Sequence, residues 1–399
     1  MVAKPKILLV WGYHRSGWNK PFFDLRDEFE FHYLFKKFPD KEDERFDFNI
    51  RYWSEFSSAS EVIEEIKPDK VLFMSIHSPY SISLNQACKR RGITTFFFQH
   101  GIESNMDFYL KLERNTSKKK DAQISSSHSS SEQSDPKHAL RFLWNSVGIV
   151  TFIKSIRLEL LTRKMNGHLA LHRMLFSARV ADYYLVYTRF NGQLHVDRDG
   201  VQEDRMLSTG IPEIDPYFEQ NFQASENYYL LIDQPLSDND TYGISGFGIS
   251  EQDHARMYSK LNDFCLSRGA RLKIKLHPDN YRSKRIFEHE NTDYLTHSDP
   301  MPLILKSKAC FGTLSTLMIP AAYFKKVYVL TFYDLPLQKD LLRSGLMKGL
   351  DFFTFEPEDI QFDTFSRTEE ILSQFVDQYL YQADGKSHRR LAEYLKNVT

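Results

Sequence analysis

Short apolar runs, each halted by a polar or glycine-bearing loop and separated by helical patterns, constrain this chain to an α/β fold with parallel strands. Residues 7–11 are a buried-type strand ending in the loop Gly12-Tyr-His14-Arg15-Ser-Gly17. Residues 60–67 are helical in pattern, 70–74 are the next strand, and 83–91 are a helix closed by Gly92. Residues 94–98, all β-branched or aromatic, form a strand that stops at Gln99-His100-Gly101. The same alternation resumes later, with strands at 183–187, 228–233, 271–276 and 327–331 and a helix at 251–268.

Between these stretches the rhythm breaks. Residues 114–137 carry Lys118-Lys-Lys120 and a serine run at 125–131, a low-complexity composition that reads as a mobile or disordered insert. Residues 140–180 return to basic, amphipathic helix. Six Lys/Arg lie between 151 and 180 against one acid, Glu159. Such helices suit an anionic membrane surface or an anionic acceptor, and a solvated face is the other reading.

At 399 residues the chain exceeds one ordinary core. The turn-rich stretch Thr209-Gly-Ile-Pro-Glu-Ile-Asp215 reads as the exit from a first domain. The expected layout is a first domain over 1–220, a second over 221–375, and a helical tail over 376–399 that packs back on the first. Two doubly wound domains facing a cleft fit this layout.

A formal net charge of -1 gives no field to attract nucleic acid. Cys88, Cys265 and Cys310 are odd in number and widely spaced, which points to a reducing compartment rather than to disulfides or zinc. No run approaches the ~18 apolar residues of a membrane span, and the run at 7–10 is too short for a signal peptide core. The expectation is a cytoplasmic protein.

The chemistry-bearing residues cluster at predicted strand ends. Lys273-Ile-Lys275-Leu-His277-Pro278 is a basic, alternating strand stopped by proline, with His277 at its mouth. His277 either caps a loop or holds an anion, and Lys275 shares its surroundings. Gly312-Thr-Leu-Ser315-Thr316 opens an apolar helical run. Its hydroxyls either cap that helix or place a phosphate at its N-terminus. Asp233-Gln234-Pro-Leu-Ser237 follows the strand at 228–233. In the first half, His100 can act as a base, with Glu103 and Asp107 as alternative bases or orienters. His14 and Arg15 are candidates to touch a substrate. Gly243-Ile-Ser-Gly-Phe-Gly248 neither follows a strand nor opens a helix, which argues against dinucleotide binding. No metal-ligand pattern is visible.

Lys275-Leu-His277-Pro278, Ser315-Thr316 and Asp233–Ser237 together resemble the bacterial GT-B glycosyltransferases of capsule and lipooligosaccharide synthesis. The polysialyltransferases and sialyltransferases are examples, and the CDP-glycerol polyol-phosphate transferases are related. The likeness is carried by residues 180–335. It implies a GT-B fold of two Rossmann-like domains and a nucleotide held by His277, Pro278, Lys275, Gly312, Ser315, Thr316 and Gln234. Two features depart from the sialyltransferases. Gln99-His100-Gly101 stands where they carry an acidic-acidic-Gly motif, and it resembles the His-Gly of the polyol-phosphate transferases. Ser315-Thr316 is followed by Leu-Met-Ile-Pro-Ala-Ala322, without the acid that many GT-B enzymes place on a ribose.

The resulting expectation is an inverting, metal-independent transferase without a cofactor. Its donor is a CMP-activated sugar acid, sialic acid-like or another 2-keto sugar acid. Its acceptor is a bacterial surface glycan, lipid-linked, with peripheral contact to the inner face of the cytoplasmic membrane. The alternatives are a CDP-polyol phosphotransferase, a nucleotide-sugar epimerase or hydrolase, and a non-catalytic binding scaffold.

Overall fold

The computed structural model describes residues 3–11, 16–35, 49–103, 105–110, 113, 135–219, 225–236, 249–277, 289–296 and 298–398. His14, Arg15, Pro278, Ser237, the run 243–248 and nearly all of the serine-rich insert lie outside them.

The chain divides into two compact units. The first comprises Met1–Glu113, Ser130–Phe218 and Gln378–Thr399, and the second is built on Glu219–Asp377. Each holds one all-parallel sheet, as the strand and helix alternation requires.

The first sheet has β1 (Lys6–Val10), β2 (Glu30–Phe35), β3 (Asn49–Tyr52), β4 (Lys70–Phe73), β5 (Thr94–Phe98), β6 (Tyr183–Val186) and β7 (Met206–Ser208), in the order β3-β2-β1-β4-β5-β6-β7. It is covered on both faces. Ile7 and Leu9 enter one core, and Leu8 and Val10 enter the other, as the two-residue period of a strand dictates. The helix Ser387–Asn397 belongs to this unit and buries Leu391, Ala392 and Leu395 beside Ile7, Leu9 and Phe31.

Asp215 ties that helix down. Its carboxylate accepts from the Ser387 N–H at 3.1 Å, from the His388 N–H at 2.8 Å and pairs with His388 Nδ1 at 2.7 Å. Arg390 Nε donates to the Thr209 carbonyl at 2.9 Å. Gly210 between them has φ +80, and a Cβ there would sit 2.5 Å from Ser387 Oγ and 2.9 Å from the Leu380 carbonyl oxygen. Gly210→Ala adds a left-handed backbone penalty to a backbone clash. It is expected to destabilise the protein by about 2 kcal/mol or more, read as a fall in the urea midpoint.

The second sheet has β8 (Tyr228–Ile232), β9 (Arg271–Lys275), β10 (Thr292–Leu295), β11 (Cys310–Gly312), β12 (Val327–Thr331) and β13 (Met347–Asp351), in the order β10-β9-β8-β11-β12-β13. The order reverses between β8 and β11, so the crevice at their carboxyl ends is the switch point where doubly wound sheets take ligands.

Candidate functional site

In the second unit, three adjacent strands deliver sequence-predicted residues to that switch point. β9 ends before His277, β8 before Asp233-Gln234, and β11 at Gly312 before Thr313–Thr316. Asp233 is buried and binds the crevice together. It accepts from Tyr258 Oη at 2.7 Å and from the His277 N–H at 3.4 Å, with His254 Nε2 at 3.5 Å. The Asp233 N–H in turn donates to the Lys275 carbonyl at 3.1 Å. The His277 turn is therefore tied to β8 through a carboxylate.

Lys275 Nζ donates to the Thr296 carbonyl at 2.8 Å, and burial lowers its pKa against the opposing pull of Asp233. Lys273 points elsewhere, over the Tyr228 ring at 3.9 Å and 3.6 Å from Glu226. The two lysines thus serve different ends of the strand.

Gly312 lets the β11 turn approach β8. A Cβ there would run into Met318 Sδ and lie 3.3 Å from the Ile232 carbonyl oxygen. Ser315 Oγ accepts from the Leu317 N–H at 3.3 Å, and the helix Met318–Phe324 follows. Ser315 and Thr316 remain partly exposed at the strand end, while Thr313 is buried.

In the first unit, the loop after β5 is clamped from both sides. Gln99 is fully buried. Its Oε1 accepts from the Tyr187 N–H at 2.9 Å, and its Nε2 donates to the Gly101 carbonyl at 3.1 Å. The Gly101 N–H donates to Tyr187 Oη at 2.8 Å, with Gly101 at φ +87. This brace leaves His100 half-buried at the carboxyl end of β5.

Glu103 faces inward, onto a buried charge cluster that sequence reasoning missed. Its carboxylate lies 2.9 Å from His195 Nε2 and 3.9 Å from Arg198 Nη1. Asp199 Oδ2 lies 3.0 Å from His195 Nδ1 and 2.8 Å from Arg198 Nη2, and its Oδ1 accepts from Arg179 Nη1 at 2.6 Å. The helix Arg189–Asp199 presents His195, Arg198 and Asp199 on one face through its i, i+3, i+4 spacing. Arg198 Nη1 also donates to His168 Nδ1 at 2.9 Å.

The electrostatics follow from this packing. Burial opposes ionisation of Glu103, but the His195 and Arg198 charges overcome it and hold the carboxyl at about 2. Burial disfavours the His195 cation, yet Glu103 and Asp199 on either side raise its pKa. Asp199 is held well below the usual range, with Arg198 and His195 outweighing burial. Glu213 differs. Burial, with Asp215 adding to it, pushes its carboxyl up to about 7, and its Oε2 is buried with no hydrogen-bond partner among the described residues. Glu213 sits in the turn after β7, and Asp107 is exposed beyond the His100 loop. The signal for Glu213 in the sequence was an acid between Pro212 and Ile214, in a turn assigned only as a boundary.

The family model described as Alpha-2,8-polysialyltransferase (POLYST) matches residues 54–334, more than half of the chain and a span that contains every strand-end residue just described. The chain belongs to this family. It is a glycosyltransferase, and the resemblance drawn from the motifs holds. Two solved structures place this polysialyltransferase-family chain in the GT-B fold. CalG4, the calicheamicin glycosyltransferase, aligns at 11% identity and a TM-score of 0.53, over 100% of both chains. The wall teichoic acid polymerase TagF, in a variant soaked with CDPG, aligns at 12% identity and a TM-score of 0.50, over 98% of this chain and 87% of that one. At such identities the likeness shows the fold alone. A search of the curated proteins returns no match.

Proposed function

We propose that this polysialyltransferase-family enzyme is inverting and metal-independent and transfers a CMP-activated sugar acid, sialic acid in the first instance, to a bacterial surface glycan. One observation carries the reading. His277, Gln234 and the Gly312–Thr316 turn converge at the switch point of the second sheet, and the family's name supplies the sugar.

In this reading the nucleotide phosphate lies against His277 and the Ser315 and Thr316 hydroxyls. The bond from the anomeric carbon to the phosphate oxygen breaks, and its electron pair leaves with CMP. His277 and the hydroxyls stabilise that growing charge. An acceptor hydroxyl oxygen forms the new bond to the anomeric carbon, and its proton passes to His100. Glu103, held ionised at about 2 by its partners, suits anchoring the His100 loop better than accepting a proton. Glu213, with its carboxyl near 7, is the second candidate for that proton.

The acceptor in this reading is lipid-linked and met at the cytoplasmic face of a membrane. No helix among the described residues is long and apolar enough to cross one, and the contact in this reading is peripheral.

His277→Ala removes a donor to a charged phosphate, worth about 1.5–3 kcal/mol. CMP affinity by calorimetry is expected to fall by about 10- to 100-fold, and an unchanged affinity would remove His277 from the nucleotide site. A second reading, polyol-phosphate transfer from a CDP-polyol, draws on the Gln99-His100-Gly101 loop. Mass analysis of the product separates the two, because one adds a sugar and the other a phosphodiester.

A further inference from the structure

The helices Pro136–Ser146 and Ile149–Thr162 form an elbow in the first unit, joined by Val147 and Gly148. Their inner faces are accounted for. Ala139, Phe142, Leu143 and Leu158 enter the core or its neighbours. Ser146 Oγ accepts from the Ala59 N–H at 2.9 Å, and the Ser146 carbonyl accepts from Arg90 Nη1 at 3.2 Å. The elbow is therefore fixed in orientation through its inner face.

The outer face is unusually apolar. Trp144 is 61% exposed, Val150 63%, and Ile149 and Ile153 each 58%. Leu140 and Leu160 extend the strip. Trp144 packs edge-on against Phe152 with ring centroids 5.1 Å apart, so the apolar side chains meet at the bend. Isolated exposed apolar residues need no explanation, but a contiguous patch of this kind marks an interaction surface.

The charges say what covers it. Between 136 and 164 the chain carries Lys137, Arg141, Lys154, Arg157, Arg163 and Lys164 against the single acid Glu159. Glu159 pairs with Arg163 at 3.1 Å. Among the described residues, no carboxylate pairs with Lys137, Arg141, Lys154, Arg157 or Lys164. An apolar ridge with an indole at its centre, rimmed by cations that lack a carboxylate partner, matches the boundary layer of an anionic bilayer. Apolar groups and tryptophan settle below the headgroups there, and each basic residue gains about 1 kcal/mol from the surface potential.

We propose that this elbow is the membrane-docking surface of the enzyme, with Trp144, Ile149, Val150 and Ile153 inserted and the five cations that lack a carboxylate partner on anionic lipid headgroups. The proposal rests on the membrane-side location proposed above, and does not depend on the identity of the donor. A second protein copy would also cover an apolar ridge, but it would need a carboxylate-rich complement to match this rim.

The full chain is sedimented with vesicles of phosphatidylcholine alone or with 40% phosphatidylglycerol, at about 0.05 and 0.5 M salt. Wild type is expected to bind the anionic vesicles at least about 10-fold more than the neutral ones, with binding lost at high salt. The triple variant Arg141→Glu/Lys154→Glu/Arg157→Glu should lose binding, and Trp144→Ser/Ile153→Ser should weaken it by about 10-fold or more. An unchanged melting temperature checks that each variant folds, and transfer to a water-soluble oligosaccharide acceptor should match wild type. No binding by wild type, or equal binding by the charge-reversed variant, overturns the proposal. So does a dimer in light scattering that the Trp144 variant dissolves. Absence of transfer to the soluble acceptor by the folded wild-type protein would instead count against the proposed donor and acceptor.

Discussion

His100→Ala is expected to reduce transfer by about 10²- to 10⁴-fold, the range in which a positioned general base contributes, with CMP affinity unchanged. The two readouts separate because His100 follows β5 in the first unit, whereas the residues proposed to hold the nucleotide follow β8, β9 and β11 in the second. The loop itself should survive the substitution. Gln99, Gly101 and Tyr187 hold its backbone with hydrogen bonds of 2.8 to 3.1 Å that do not involve the imidazole. Turnover and calorimetry on the same preparation check both halves.

If His100→Ala retains turnover, the base lies elsewhere, and the electrostatics rank the alternatives. Glu103, at about 2, is too weak a base for a hydroxyl. Glu213, at about 7, is matched to the task. Glu213→Gln would then abolish transfer, and the wild-type rate would rise with pH through about 7.

The sequence made several inner strands of both sheets legible for a simple reason. Strands buried on two faces read as unbroken apolar runs, as in β1, β4, β5 and β8. The inner strands β2 and β11 escaped, and so did the outer ones. β3, β7, β10 and β13 each close a sheet edge, and β3 (Asn-Ile-Arg-Tyr) and β13 (Met-Lys-Gly-Leu-Asp) mix polar and apolar residues because one side of each meets solvent or loops. The strand-end residues proposed to hold the nucleotide were legible because glycine and proline punctuate strand ends. The Glu103 cluster was not. His195, Arg198 and Asp199 share a helix face, and such a face ordinarily meets water. The Phe97 and Tyr184 rings, Arg179, His168 and the returning 99–103 loop together turn the face into an interior, and the Glu103–His195 pairing alone spans about ninety residues.

Loss of Asp199 is the second large effect. Its carboxylate is buried among three cations, Arg179, Arg198 and the His195 imidazolium. Removing one member of a buried ionic network leaves the others unpaired, which costs about 3–5 kcal/mol. Asp199→Ala should therefore lose that much in urea unfolding. The pH dependence gives an independent check. Glu103 sits at about 2 in the folded protein against an ordinary 4.5. Because its folded pKa is depressed, its contribution is present above about 4.5 and is lost as pH falls towards 2. The amount is about 3 kcal/mol at 1.36 kcal/mol per unit. His195 has the opposite sign. Its folded pKa is raised, so its contribution is present below the ordinary histidine value and is lost as pH rises through the folded one. Glu103→Gln should flatten the acid limb and lower the His195 alkaline limit, because it removes one of the two carboxylates that favour the cation. In the proposed mechanism Asp199 also bears on catalysis at one remove. It holds His195 and Arg198, which hold Glu103, which ends the His100 loop. At a temperature where the Asp199→Ala protein stays folded, kcat should fall while CMP affinity stays at wild type. A loss of stability with kcat intact would make the cluster a structural brace only.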